Sequence, residues 1–211
     1  MIEEKLGAFL LALIFLSFTI SLIPMSQIIS VSGNNAYLSF SDGIAISLAF
    51  GSVELLRANV TSPYAYFRGI QLSSSNEPGS ISLLSGKVQL YIPEEWEGNV
   101  TISMLVGSVT LRGVKLGKLI IKTDLGIVRG SFFISKGAEL DTGAGIINAE
   151  LGVPYDSGLE VTIRSRRFSL EFDEETIVGS SIEKKLWEGS REVKLEARAR
   201  SADISIFRVK G

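Results

Sequence analysis

Apolar and polar residues alternate along most of this chain beyond Gly33. The pattern is plain in Ala45-Ile46-Ser47-Leu48-Ala49-Phe50, in Val88-Gln89-Leu90-Tyr91-Ile92 and in Val193-Lys194-Leu195-Glu196-Ala197. Successive side chains of a strand point to opposite faces, so a period of two bounded by Gly, Ser and Asn predicts half-buried strands. Helical periodicity is confined to one short stretch, Ser181 to Glu188. There Ser180 would cap a helix, and Glu183, three residues on, would complete a capping box.

The first thirty residues follow another rule. Leu6 to Ile23 is eighteen residues without a charge. That approaches the roughly 20 residues a helix needs to cross a hydrocarbon core. Pro24 marks the bend or end of that helix, and Met25 to Val31 extend its apolar reach. The stretch exceeds the apolar region of a cleaved signal peptide, and only Ser30-Val31-Ser32 offers a small-x-small site. The expectation is an uncleaved signal anchor over residues 1–30, touching membrane lipid through residues 6–30. Lys5 precedes the span and no Lys or Arg follows until Arg57. Positive residues stay inside, so residues 31–211 are expected outside a cell membrane crossed once.

The body repeats itself. Val100-Thr-Ile-Ser-Met-Leu-Val-Gly107 aligns with Leu119-Ile-Ile-Lys-Thr-Asp-Leu-Gly126 and with Ala138-Glu-Leu-Asp-Thr-Gly-Ala-Gly145, each glycine 19 residues after the last. Two residues beyond these glycines stand Val109, Val128 and Ile147. Gly51 and Gly86 have the same downstream pattern, in Val53 and Val88. A second echo relates Pro93–Leu111 to Pro154–Phe172 at an offset of 61, with Phe168 in the place of Gly107. Equal units imply a stack in which each buries its neighbour's apolar row. The expected fold is all-β: a single-stranded β-helix or solenoid-like repeat domain behind one N-terminal transmembrane helix.

Strand, Gly-x-Val, strand units behind an anchor resemble the toastrack or DUF4097 family of adhesin-like proteins. The resemblance covers Asn35 to Val209. It rests on the units ending at Gly107, Gly126 and Gly145, on the segments led by Pro93 and Pro154, and on the last strand, Ala202–Ile206. It implies a β-helix-like stack projecting from a membrane and serving adhesion, assembly or envelope sensing. It brings no catalytic residues. Asp173 to Arg191 departs from the pattern and reads as a decorated loop or capping element.

Composition narrows the chemistry. The chain has no cysteine and no histidine, which removes disulfides, thiolate ligands and the commonest general base. With 21 basic against 23 acidic residues and no long basic run, nucleic acid is not an expected partner. Ser181 and Lys184 match a Ser-x-x-Lys spacing but read as capping residues. Glu94-Glu95 and Asp173-Glu174-Glu175 read as solvated turns, and Asp141-Thr-Gly-Ala-Gly145 as a corner leading into more strand. No cofactor, metal or catalytic activity is therefore expected. Asn59-Val-Thr and Asn99-Val-Thr are N-glycosylation sequons. Trp96, Trp187, Tyr64, Tyr66 and Phe67 read as core or rim. The function expected is a surface or envelope scaffold acting by contact with a protein partner or with itself; the alternative is a pilin-like filament subunit whose N-terminal helix packs in a fibre core.

Overall fold

The computed structural model describes residues 28–36, 43–72 and 79–209. These residues are all-β, in nine strands: β1 (Ile28–Ala36), β2 (Gly43–Ala58), β3 (Tyr64–Leu72), β4 (Ser80–Pro93), β5 (Asn99–Asp141), β6 (Ile146–Pro154), β7 (Ser157–Phe172), β8 (Glu175–Trp187) and β9 (Arg191–Val209). All belong to one sheet, in the order β1-β3-β4-β2-β5-β6-β9-β7-β8.

The interior of this order is parallel and in register. On β2, Gly51 is paired with Gly86 of β4 and Gly107 of β5, and Val53 with Val88 and Val109. β5 is long enough to pass more than once. A Cβ placed on Gly126 would lie 3.0 Å from the carbonyl oxygen of Gly107, and the Arg129 Nε–H donates to Thr110 Oγ1, 19 residues earlier, at 3.3 Å. The next pass pairs Val128 with Ile147 of β6, then Ile147 with Ala202 of β9 and Ala202 with Phe168 of β7. Val53, Val88, Val109, Val128 and Ile147 are fully buried. They form part of one apolar cluster that also takes in side chains of β7 and β9.

The stack ends differently from how it runs. β1 pairs antiparallel with β3 at one edge, and β8 antiparallel with β7 at the other. Ile28, Ile29 and Ser30 already pair with Leu72, Gln71 and Ile70, so strand begins three residues before the expected domain boundary. Residues 1–27, where the expected anchor lies, are outside the described residues. Among the described residues no helix is long and apolar enough to cross a membrane.

Two expectations need correction. Ser181 to Glu188 is not a helix: Ser181 to Trp187 belong to β8. Asp173 and Glu174 both have positive φ, 44° and 68°, and link Phe172 to its partner Glu175 as a two-residue turn of the kind that closes a hairpin. Pairing with β7 takes up the backbone groups that the capping box would have served. Two register shifts in that pairing reset the alternation, so Ile177, Ile182 and Trp187 all pack against the core at spacings that do not read as a strand. The segment from Asp173 is thus a capping strand, not a loop.

The second correction concerns the longer echo. Leu140, Ala197 and Ile163 share one column, and Ile147, Ala202 and Phe168 another. The corner between the columns takes seven residues from Leu140 to Ile147 but five from Ala197 to Ala202 and from Ile163 to Phe168. Phe168 therefore joins the buried column of Ile147 rather than that of the glycines. The shorter corners of β7 and β9 have no glycine.

Candidate functional site: an exposed ridge along one corner

Gly51, Gly86, Gly107, Gly126 and Gly145 stack at one corner because nothing larger fits. A Cβ on Gly107 would collide with the carbonyl oxygen of Gly51, and one on Gly145 with that of Gly126. Each glycine corner spans an odd number of residues between inward side chains, Ile102 to Val109 for example. Strict alternation cannot cross an odd interval, so two successive residues must point outward. On the first pass of β5 these are Leu105 and Val106, with Met104 buried before them.

Most of those outward positions are apolar; Asp124, in the place of Leu105 one pass on, is the charged exception. Phe50 pairs in register with Val106, Leu125 follows Val106 by the 19-residue repeat, and Ile127 pairs with Ile146. With Leu105 they make six large apolar side chains, each 40–53% exposed, in a ridge along the stack. Phe50 is the informative case. Its strand reads as a run of inward Ile46, Leu48 and Phe50, and the first two are buried; the corner turns the third outward.

The same corner changes character at β9 and β7. It carries Arg198 and Arg200 on β9 and Arg164, Arg166 and Arg167 on β7, all exposed. Arg164 stands directly opposite Arg198. Asp141 comes within 4.0 Å of Arg198. Among the described residues the other four arginines have no acidic partner. Elsewhere Arg57, Lys115, Lys122 and Lys194 each meet a glutamate within 3.0 Å, while Arg68, Lys118, Lys136 and Arg191 make no ion pair among the described residues. It is the grouping of the corner arginines that sets them apart. The cluster escapes a reading along the sequence because its two halves lie 34 residues apart, as Arg164 and Arg198 do.

Beneath the corner, buried hydroxyls satisfy the bent backbone. Thr123 Oγ1 donates to the Leu105 carbonyl at 3.5 Å and Thr142 Oγ1 to that of Arg198 at 3.4 Å. Beyond the ridge, Glu54 ties three passes together. It accepts from Gln89 Nε2 at 3.0 Å and Arg112 Nε at 2.7 Å, and Lys87 lies 3.5 Å away. The hydrogen bond from Gln89, with help from Arg112 and Lys87, holds the Glu54 carboxyl below its usual range against an opposing effect of burial.

The residues singled out from the sequence fall in separate places. Gly107, Gly126 and Gly145 form the spine of the corner, and Val109, Val128 and Ile147 the buried row beside it. Asn59 lies just past the end of β2 and Asn99 begins β5; both are exposed and neither is on the ridge. Ser181 and Lys184 do not meet: three apart on a strand, they point to opposite faces, and Lys184 instead lies 5.1 Å over the Phe172 ring. Glu94 is engaged by Arg57 at 2.9 Å, and Asp173 accepts the Trp187 indole N–H at 2.5 Å. In the corner Asp141–Gly145, the Gly143 N–H donates to Asp141 Oδ1 at 2.9 Å. Among the described residues no group of three His, Cys, Asp or Glu is placed to hold a metal ion.

No family model matches this sequence, and no curated protein does. Among solved structures the chain is similar to one from Clostridium sporogenes described as a "putative cell adhesion protein". The two are 12% identical with a TM-score of 0.47, over 87% of this chain and 98% of that one.

Proposed function

We propose that this protein is a membrane-anchored scaffold of the cell surface or envelope, of toastrack type, which works by protein contact and performs no chemistry. In this reading the parallel stack is a single-stranded β-solenoid held outside the membrane by the apolar segment that precedes β1. The ridge is the observation that carries it. Six half-exposed large apolar side chains grouped in neighbouring columns at one corner are read as a recognition surface, because an apolar patch is costly to leave in water. An anchored domain meets partners in the same layer at raised effective concentration, so such a ridge needs only modest affinity.

The test has two arms. Intact cells expressing the full chain are fractionated and exposed to external protease; the protein is expected in the membrane fraction and accessible from outside. A photo-crosslinking residue is then placed at Leu125 or, as control, at exposed Asn148. Crosslinks to protein at Leu125 and not at Asn148 are expected. A soluble, protected protein, or equal labelling at both positions, would overturn the reading.

A further inference from the structure

We infer that the ridge and the arginine cluster form one docking surface for a polypeptide segment that carries an apolar row followed by acidic residues. This deepens the contact reading above and rests on it. From Phe50 to Arg166 the corner crosses six neighbouring passes of the chain, on β2, β5, β6, β9 and β7. At the usual strand spacing that is about 24 Å, the length of a helix of about 16 residues or an extended segment of about seven.

The choice of occupant follows from how the surface varies. Its chemistry changes along the corner, mainly apolar from Phe50 to Ile146, with Asp124 the exposed acid among them, and basic from Arg198 to Arg167. A bilayer surface is the same along any line laid on it, and does not match a corner that is apolar at one end and basic at the other. A uniform polyanionic glycan repeats its charge along its length and would leave the apolar part uncovered. A polypeptide changes from residue to residue and matches both parts.

A second copy of this chain fits poorly. Parallel ridges would set arginine against arginine. Antiparallel ridges would set the cluster towards Arg68, Lys87 and Arg112, three positive charges that outnumber the single Glu54 carboxylate between Lys87 and Arg112. Like charges meet either way. Arg166, Arg167 and Arg200 make no ion pair among the described residues, and with Arg164 and Arg198 they group five guanidinium groups at one end of the corner, where carboxylates from outside can be received.

The experiment is selection from a random-peptide display library on the full chain in phosphatidylcholine nanodiscs, followed by anisotropy with the enriched peptides. Two variants accompany the wild type: Leu125→Ser with Ile127→Ser, and Arg166→Glu with Arg200→Glu. All four side chains are exposed, and circular dichroism melting checks that both variants fold. Enriched peptides are expected to join an apolar row to an acidic end and to lose about tenfold in affinity to either variant. Selection on the glutamate variant should turn the preferred end basic. Peptides without an acidic end, or with affinity unchanged in the arginine variant, would overturn the proposal. So would an absence of enrichment, with or without arginine-dependent binding to phosphatidylglycerol vesicles or a sulfated polysaccharide. Because the selection uses purified protein, its failure is distinct from failure of the protein to reach the membrane.

Discussion

Arg164 and Arg198 stand directly opposite each other on parallel strands, in a sheet where Lys115, Lys122 and Lys194 each face a glutamate. Like charges in that relation repel, so the pair costs stability that Asp141, 4.0 Å from Arg198, offsets only in part. Arg164→Glu should turn the repulsion into attraction and raise stability by about 0.5 kcal/mol in urea denaturation. The same change should weaken binding of an acidic-ended peptide. A variant less stable than wild type would mean that the two arginines do not sense each other.

The glycine spine separates two costs of substitution. Gly145→Ala drives a methyl group into the Gly126 carbonyl, whereas a methyl on Gly113, at φ 61°, meets nothing within 4 Å. Gly113→Ala should cost about 1 kcal/mol, from backbone strain alone. Gly145→Ala should cost about 3 kcal/mol or more, since two passes of the chain must part. Equal losses by denaturant titration would remove close packing as the reason for glycine here.

Two phenylalanines test inside against outside. Phe168 is buried and Phe50 is 46% exposed. Phe168→Ala should cost about 3–5 kcal/mol. Phe50→Ala should change thermal stability by no more than about 0.5 kcal/mol while reducing contact at the ridge.

Glu54 should make stability depend on pH. Its carboxyl is held below the ordinary value, so the charged form binds its partners better in the folded state than the unfolded chain can. The contribution is present at neutral pH and is lost as pH falls from the ordinary carboxylate value through the depressed one. Glu54→Gln should cost about 1 kcal/mol at neutral pH, and the gap from wild type should close as the solution is acidified. A gap that widens in acid would reverse the assignment.

The hairpin turn is suboptimal as it stands. Glu174 has φ 68°, a region that glycine enters without steric cost. Glu174→Gly would create the Asp-Gly pair favoured in such turns, and should raise stability by about 0.5–1 kcal/mol in thermal melts.

The strand character of the chain could be read from its sequence, because alternation at Ile46, Leu48, Val88 and Leu90 depends only on which neighbours along the chain share a face. The 19-residue glycine period was equally legible, since identical passes need identical residues where backbones touch. What lay in tertiary structure was everything set by neighbours from other passes. Phe50 continues an inward pattern and yet faces water, because an odd corner resets the parity. Ser181 and Glu183 look like helix-start residues, yet their backbones pair with β7. The five arginines became a cluster only when β9 was laid beside β7. Sequence order determines which faces a segment offers; the register between passes decides which of those faces meet, and a corner two residues shorter was enough to turn a glycine spine into a charged end.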